Sequence, residues 1–143
     1  MGLDAQRLEM IRANAAFAIG ELADLSGMDF GLDAASVAWT EGFIERQRGA
    51  LDVDGASGIV NVLGSYLGEA VIAAVPGAHW DTDADGALGI AFAGGDMAFP
   101  FAKVGKQLDD GLEGGESILS FYNVCVKHIA TGQLGKAVAS EAS

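Results

Sequence analysis

This 143-residue chain is short of cysteine and short of cations. Its single cysteine, Cys125, cannot close an internal disulfide, which excludes the stapled frameworks of small secreted domains and fits a reducing compartment. Eight Lys and Arg stand against 20 Asp and Glu, a formal charge of -12. Phosphate backbones and anionic lipid both require a cationic surface, so neither nucleic acid nor a membrane is an expected partner. The only histidines, His79 and His128, lie on different elements without a second ligand at metal spacing, and a zinc site needs at least about three protein ligands. Despite 21 glycines, there is no G-x-x-x-x-G-K-[ST] and no strand leading into a G-x-G-x-x-G that opens a helix. No uncharged apolar run reaches the roughly 18 residues of a membrane span. The beginning of the chain is interrupted by Asp4, Glu9 and Arg12 rather than built as a signal peptide. Gly2 is followed by Gln6 where a myristoylation motif needs Ser or Thr. The expectation is a soluble cytoplasmic protein with no cofactor.

What is present is apolar patterning. Half the residues are hydrophobic, and the length suits one domain that buries about 68% of its unfolded surface. From Asp4 to Leu25, Leu8, Ile11, Ala15, Ala18, Leu22 and Leu25 recur at helical spacing. A second helix starts after Asp33, with Val37, Thr40 or Glu41, and Ile44 inward, Trp39 and Phe43 as an i, i+4 aromatic pair, and Glu45, Arg46 and Arg48 toward solvent. Gly49 or the "DVDG" turn, Asp52 to Gly55, ends it. The third helix, Ser57 to Val75, is apolar on nearly every side and so central; Gly64 and Gly68 share a face that permits close approach.

Pro76-Gly77 stops that helix and strands follow. His79 to Thr82, Ala87 to Ala93 and a strand through Met97 and Phe99 alternate with period two, predicting a three-stranded antiparallel meander. Gly94-Gly95 is the tight-turn signal between the last two. Trp80, Leu88, Ile90, Phe92, Met97 and Phe99 then form a large face, and Gly89, Ala91, Ala93 and Ala98 a small one. The small face is either pressed by a helix backbone or left smooth for a partner. Pro100 opens a fourth helix with Phe101, Val104 and Leu108 inward, Lys103, Lys106 and Gln107 outward, and Gly111 as its cap. "EGGES" reads as a flexible link. A fifth helix from Glu116 or Ser117 carries Ile118, Phe121, Tyr122, Cys125, Val126 and Ile129 on its buried stripe, and Thr131-Gly132 ends it. The fold class is α+β: about five helices around a small meander, organised as an N-terminal helix (1–27), a core unit (33–131) and a tail (133–143) that frays.

In this order and with these gaps, "GFIERQR", "LGSYLGEAVI", "GAHW", "LGIAF" and "FPFAKVGKQLDDGLEGGESILSFYNV" resemble a bacterial family catalogued as domain of unknown function 3806, over Ala35 to Val124. The resemblance implies a compact α+β fold and no established activity, so it carries over no catalytic residue.

Three chemical readings remain. Asp81, Asp83 and Asp85 with Gly86 form the first half of an EF-hand calcium loop, but position twelve is Phe92 rather than Glu, and the same residues suit a hairpin tip. A dispersed enzyme site drawn from Arg48, Glu69, His79 and Lys103 has no spacing that requires it. The expected function is a noncatalytic, acidic interaction module of adaptor or immunity type. It would set the tip Asp81, Asp83 and Asp85, and the outer side of the second helix with Arg46 and Arg48, against a basic protein; Lys103 is a further candidate binding residue. A small-ligand or calcium-binding protein is the alternative.

Overall fold

A computed structural model describes residues 4–129, with side chains through Lys127. The expectations for Gly2, for the His128 side chain, for a helix end at Thr131-Gly132 and for the tail Gln133 to Ser143 lie outside these residues. The described chain is α+β: α1 (Ala5–Ser26), α2 (Ala34–Gln47), α3 (Val53–Ala74), β1 (His79–Thr82), β2 (Leu88–Ala91), β3 (Met97–Ala98), α4 (Pro100–Asp110) and α5 (Ile118–Val124). A 3-10 turn, Leu112–Gly114, joins α4 to α5, and α5 widens into a π-helical turn at Cys125–Ile129.

The helices begin where side chains satisfy the free N–H groups of a first turn. Asp4 accepts from Arg7 N at 2.7 Å, Asp33 from Ser36 N at 2.8 Å, Asp52 from Gly55 N at 2.7 Å and Ser117 from Ser120 N at 3.0 Å. Each such cap contributes about 0.5–2 kcal/mol. The cap at Asp52 corrects one expectation: "DVDG" is not a turn closing α2 but the start of α3, because Asp52 can accept from the backbone three residues on. The turn falls earlier, at Gly49, whose φ is +76°.

Central α3 is buried on every side from Leu63 to Gly68, and α1 and α4 pack along it. With Asp54 and Glu69 as its only charges, α3 is the one helix among the described residues long and apolar enough to cross a bilayer; here its middle is the core of the fold. Gly64 and Gly68 do form a recess on it, filled by rings rather than by a backbone. A Cβ on Gly64 would collide with the Phe101 ring, and one on Gly68 with the Trp80 indole. The two rings lie 5.7 Å apart, and Trp80 Nε1 donates to Glu69 Oε2 at 2.9 Å. On the far side of the core, Tyr66 is fully buried and donates its hydroxyl to Gly31 O at 2.7 Å, beneath Phe30.

The meander forms in the order β1-β2-β3, but its faces are not those predicted. Trp80 pairs with Ile90, and Ile90 with Ala98, so Ala98 faces the core. Met97 and Phe99 stand on the opposite face with Gly89 and Ala91. The cause is the turn. Gly94-Gly95 is not a two-residue loop: Phe92 N bonds Asp96 O at 2.9 Å and encloses three residues, Ala93 to Gly95, with Gly95 at φ +95°. One extra loop residue shifts the register by one and turns every following side chain over. The first hairpin closes the same way, between Asp83 and Ala87 with Gly86 at φ +83°. On the small face Gly89 is buried under Phe99, the residue after β3, since a Cβ there would come within 2.8 Å of the Phe99 ring, while Ala93 is exposed.

Gly68→Ala therefore destabilises the protein by about 1–3 kcal/mol or more, because the indole is held by burial and by Glu69 and has nowhere to retreat. Gly20→Ala, with nothing within 4 Å, stabilises it by about 0.5–1 kcal/mol. Denaturant unfolding of the pair checks the opposite signs.

Burial raises the pKa of both tyrosines, Tyr66 and Tyr122; the Asp33 charge adds to the effect. The unfolded chain ionises tyrosine near pH ~10 while the folded chain keeps it protonated. Stability therefore falls as pH rises through that value. In an alkaline titration, phenolate absorbance appears together with loss of circular dichroism; an ionisation step with the dichroism intact would contradict the burial argument.

Candidate functional site

The charged residues of α2 and α4 are the first test of the expected binding surface. Glu45, Arg48 and Gln107 were expected in solvent. Instead they build a polar joint between α2, α4 and α5. Gln107 is fully buried because it follows Val104 by three residues and shares its face, with Pro100 the third buried member of that stripe. Its amide donates to Glu45 Oε2 at 2.9 Å and accepts from Ile118 N at 2.8 Å. Glu45 Oε2 also takes Leu112 N at 3.2 Å, and Glu41 accepts from the Ser117 hydroxyl and from Leu119 N. Arg48 pairs with Glu45 at 3.8 Å and donates to the α4 carbonyls of Leu108 and Asp109 at 3.2 and 3.3 Å. Its guanidinium lies beside Gly111, whose φ of +70° favours glycine there.

Lys103 is likewise engaged, in a 2.8 Å pair with Glu116 that holds the Glu116 carboxyl below its ordinary pKa. "EGGES" is thus no free link: a 3-10 turn, that ion pair and the α5 cap order it. Arg46 is exposed, its guanidinium 5.2 Å from the centre of the Trp39 ring, and Lys106 of α4 is exposed as expected. Cys125, 2% exposed, has its thiol pKa pushed up to about 12 by burial and stays protonated at neutral pH.

The acidic tip is a hairpin end whose carboxylates serve the turn. Asp83 Oδ1 accepts from Asp85 N and Ala87 N, both at 2.9 Å, and Asp81 Oδ1 from Thr82 N at 2.8 Å. Among the described residues no three of His, Cys, Asp and Glu come together in a set that could hold a metal ion. Of the dispersed set, the structure brings together only Glu69 and His79. They share a recess of about 280 Å³ with Arg12 and Asp81, and His79 Nε2 lies 3.9 Å from Asp81 Oδ2.

Two larger hollows follow the seam where α1 runs antiparallel to α3. Near the hairpin tip is a cleft of about 670 Å³, with Arg7, Asn14, Asn61 and Asp83 around an apolar floor that includes Phe99 and Phe101. Further along is an apolar groove of about 390 Å³ between Phe17 and Leu25 of α1, Phe43 of α2, and Gly58 and Ile59 of α3. Sequence reasoning missed this groove. Leu25, expected inward, is 65% exposed, and Phe17 and Met10 are 59% and 60% exposed. The signal was available: Met10, Phe17 and Leu25 are spaced seven and eight apart, a second apolar stripe beside the buried one.

No family model, no characterised protein and no solved structure matches this chain.

Gln107→Leu removes the amide that joins Glu45 to the α5 backbone and leaves a carboxylate oxygen and a backbone N–H less satisfied, so it costs about 2–3 kcal/mol. Lys103→Ala breaks a part-exposed ion pair and costs under about 1 kcal/mol. Urea midpoints at unchanged slope would establish that order, and the reverse order would refute the joint as the stronger tie.

Proposed function

We propose that this chain is a noncatalytic acidic module that binds a basic protein partner in the cytoplasm, in the manner of an adaptor or immunity-type protein. The observation that carries the reading is where folding leaves the charges. Arg48 and Lys103 are engaged with carboxylates and carbonyls inside the fold, and Arg46 rests on Trp39. Asp4, Glu9, Glu21, Asp24, Asp29, Asp52 and Asp54 are all exposed. No Lys or Arg occurs from position 13 to 45 or from 49 to 102. Exposed carboxylates thus outnumber the exposed cations, Arg7, Arg12, Arg46, Lys106 and Lys127, and the net anionic surface steers cationic partners toward it and away from nucleic acid. Arg48 and Lys103 drop out of the binding surface because they hold the fold together. The likeness to the uncharacterised family is compatible with this role and adds no chemistry to it.

The immobilised protein, exposed at low salt to lysate of its own cells, is expected to retain a basic protein near stoichiometric amounts. Its affinity should fall by about tenfold or more as ionic strength rises past the range where the screening length is roughly 8 Å. A partner whose affinity ignores salt, or none at all, overturns the reading.

A second reading, binding of a small amphipathic molecule, is favoured by one feature: Arg7, Asn14, Asn61 and Asp83 surround the apolar floor of the larger cleft.

A further inference from the structure

The geometry points to the apolar groove between α1 and α3 as the docking site for a basic amphipathic helix of the partner; this rests on the interaction reading and specifies its surface. The groove walls carry large side chains that the fold leaves in water: Phe17 and Leu25 stand 59% and 65% exposed. The α3 wall is smooth. Gly55 and Gly58 line it, and a Cβ on Gly58 would meet nothing within 4 Å. A two-helix seam of this kind accepts a third helix, whose residues at i, i+3, i+4 and i+7 insert between the ridges.

Charge selects which helix. Glu21 stands on the wall, and Asp24, Asp52 and Asp54 are exposed on the adjoining turns. The segments that form the groove carry no Lys or Arg, and the nearby cation of α2, Arg46, is turned onto the Trp39 ring. An apolar floor with Glu21 on its wall and further carboxylates on the adjoining turns fits a helix with Leu-like residues on one face and Lys or Arg on its flanks. A second copy of this strongly anionic chain would bring like charge to the same rim.

The probe is a synthetic helix of about 14 residues with Leu at the i, i+3, i+4, i+7 positions and Lys elsewhere. It is compared with a peptide of the same composition in permuted order, each labelled and titrated at low salt by fluorescence anisotropy. The ordered peptide is expected to bind at least about tenfold tighter than the permuted one. Gly58→Gln, which fills the groove without changing charge, should remove that advantage, while Gly20→Gln on the outer side of α1 should leave it intact. Both glycines lie in open helical positions, so both variants fold. If the two peptides bind equally and both are displaced by salt, the acidic module stands and the groove is overturned. If Gly58→Gln leaves the ordered peptide's affinity unchanged, the groove is overturned as well. If neither peptide binds, both readings fall. A wild-type dimer that Gly58→Gln dissociates would assign the groove to a second copy instead.

Discussion

Two aromatic rings seated on two glycines carry much of this architecture. Trp80 arrives from β1 and Phe101 from α4, and each occupies the space that a side chain at Gly68 or Gly64 would need. The rings meet each other, so sheet and helix are fixed to α3 through a single contact region. Burial of aromatic area is a large apolar term, but the hydrogen bond from Trp80 Nε1 to Glu69 sets its orientation. A central helix this apolar could slide or rotate against its neighbours at little cost. Rings fitted into notches remove that freedom, because close-packed interiors allow only discrete arrangements.

The second constraint is polar and lies at the other end of α4. Gln107 is the only fully buried amide side chain among the described residues, and both of its polar ends are used. Around it Glu41, Glu45, Arg48 and Ser117 satisfy the ends of three helical segments at once. The carboxylates are bonded to N–H and O–H groups, the condition under which burying them is tolerable. Residues that look like a charged binding face when read along one helix are thus the fastening between helices. The motifs "GFIERQR" and "KQLDDGLEGGES" have a structural explanation here: they supply the two sides of the joint.

Charge and packing together bear on function. The fold engages Arg48 and Lys103 internally and leaves many carboxylates in water, so the protein presents a net anionic field interrupted by an apolar groove. Neither element alone would indicate a partner. An acidic surface without apolar contact gives steering but little residence time, and an apolar groove without charge gives adhesion without selection.

Local patterning determined a good deal of this protein: the five helices, the caps at Asp33 and Ser117, the period-two meander and the central place of α3 were legible from spacing and turn chemistry, whereas Asp52 read as part of a turn and instead caps α3. These features depend on contacts within a few residues. The sheet faces were misread because a three-residue loop and a two-residue loop both fit "AGGD", and one residue of register moves Met97 and Phe99 to the other side. The roles of Glu45, Arg48, Lys103 and Gln107 were misread for a related reason: a polar residue on a helix reads as exposed unless its partner is known. Arg48 meets Leu108 and Asp109 some sixty positions away. Leu25 was read as core for the same lack of a partner, since apolar spacing marks a face to be covered but not what covers it. Sequence decided which residues would be helix, strand and turn, because those preferences are local; only the tertiary structure decided which charges hold the fold together and which apolar face stays open, because both depend on segments far apart in the chain.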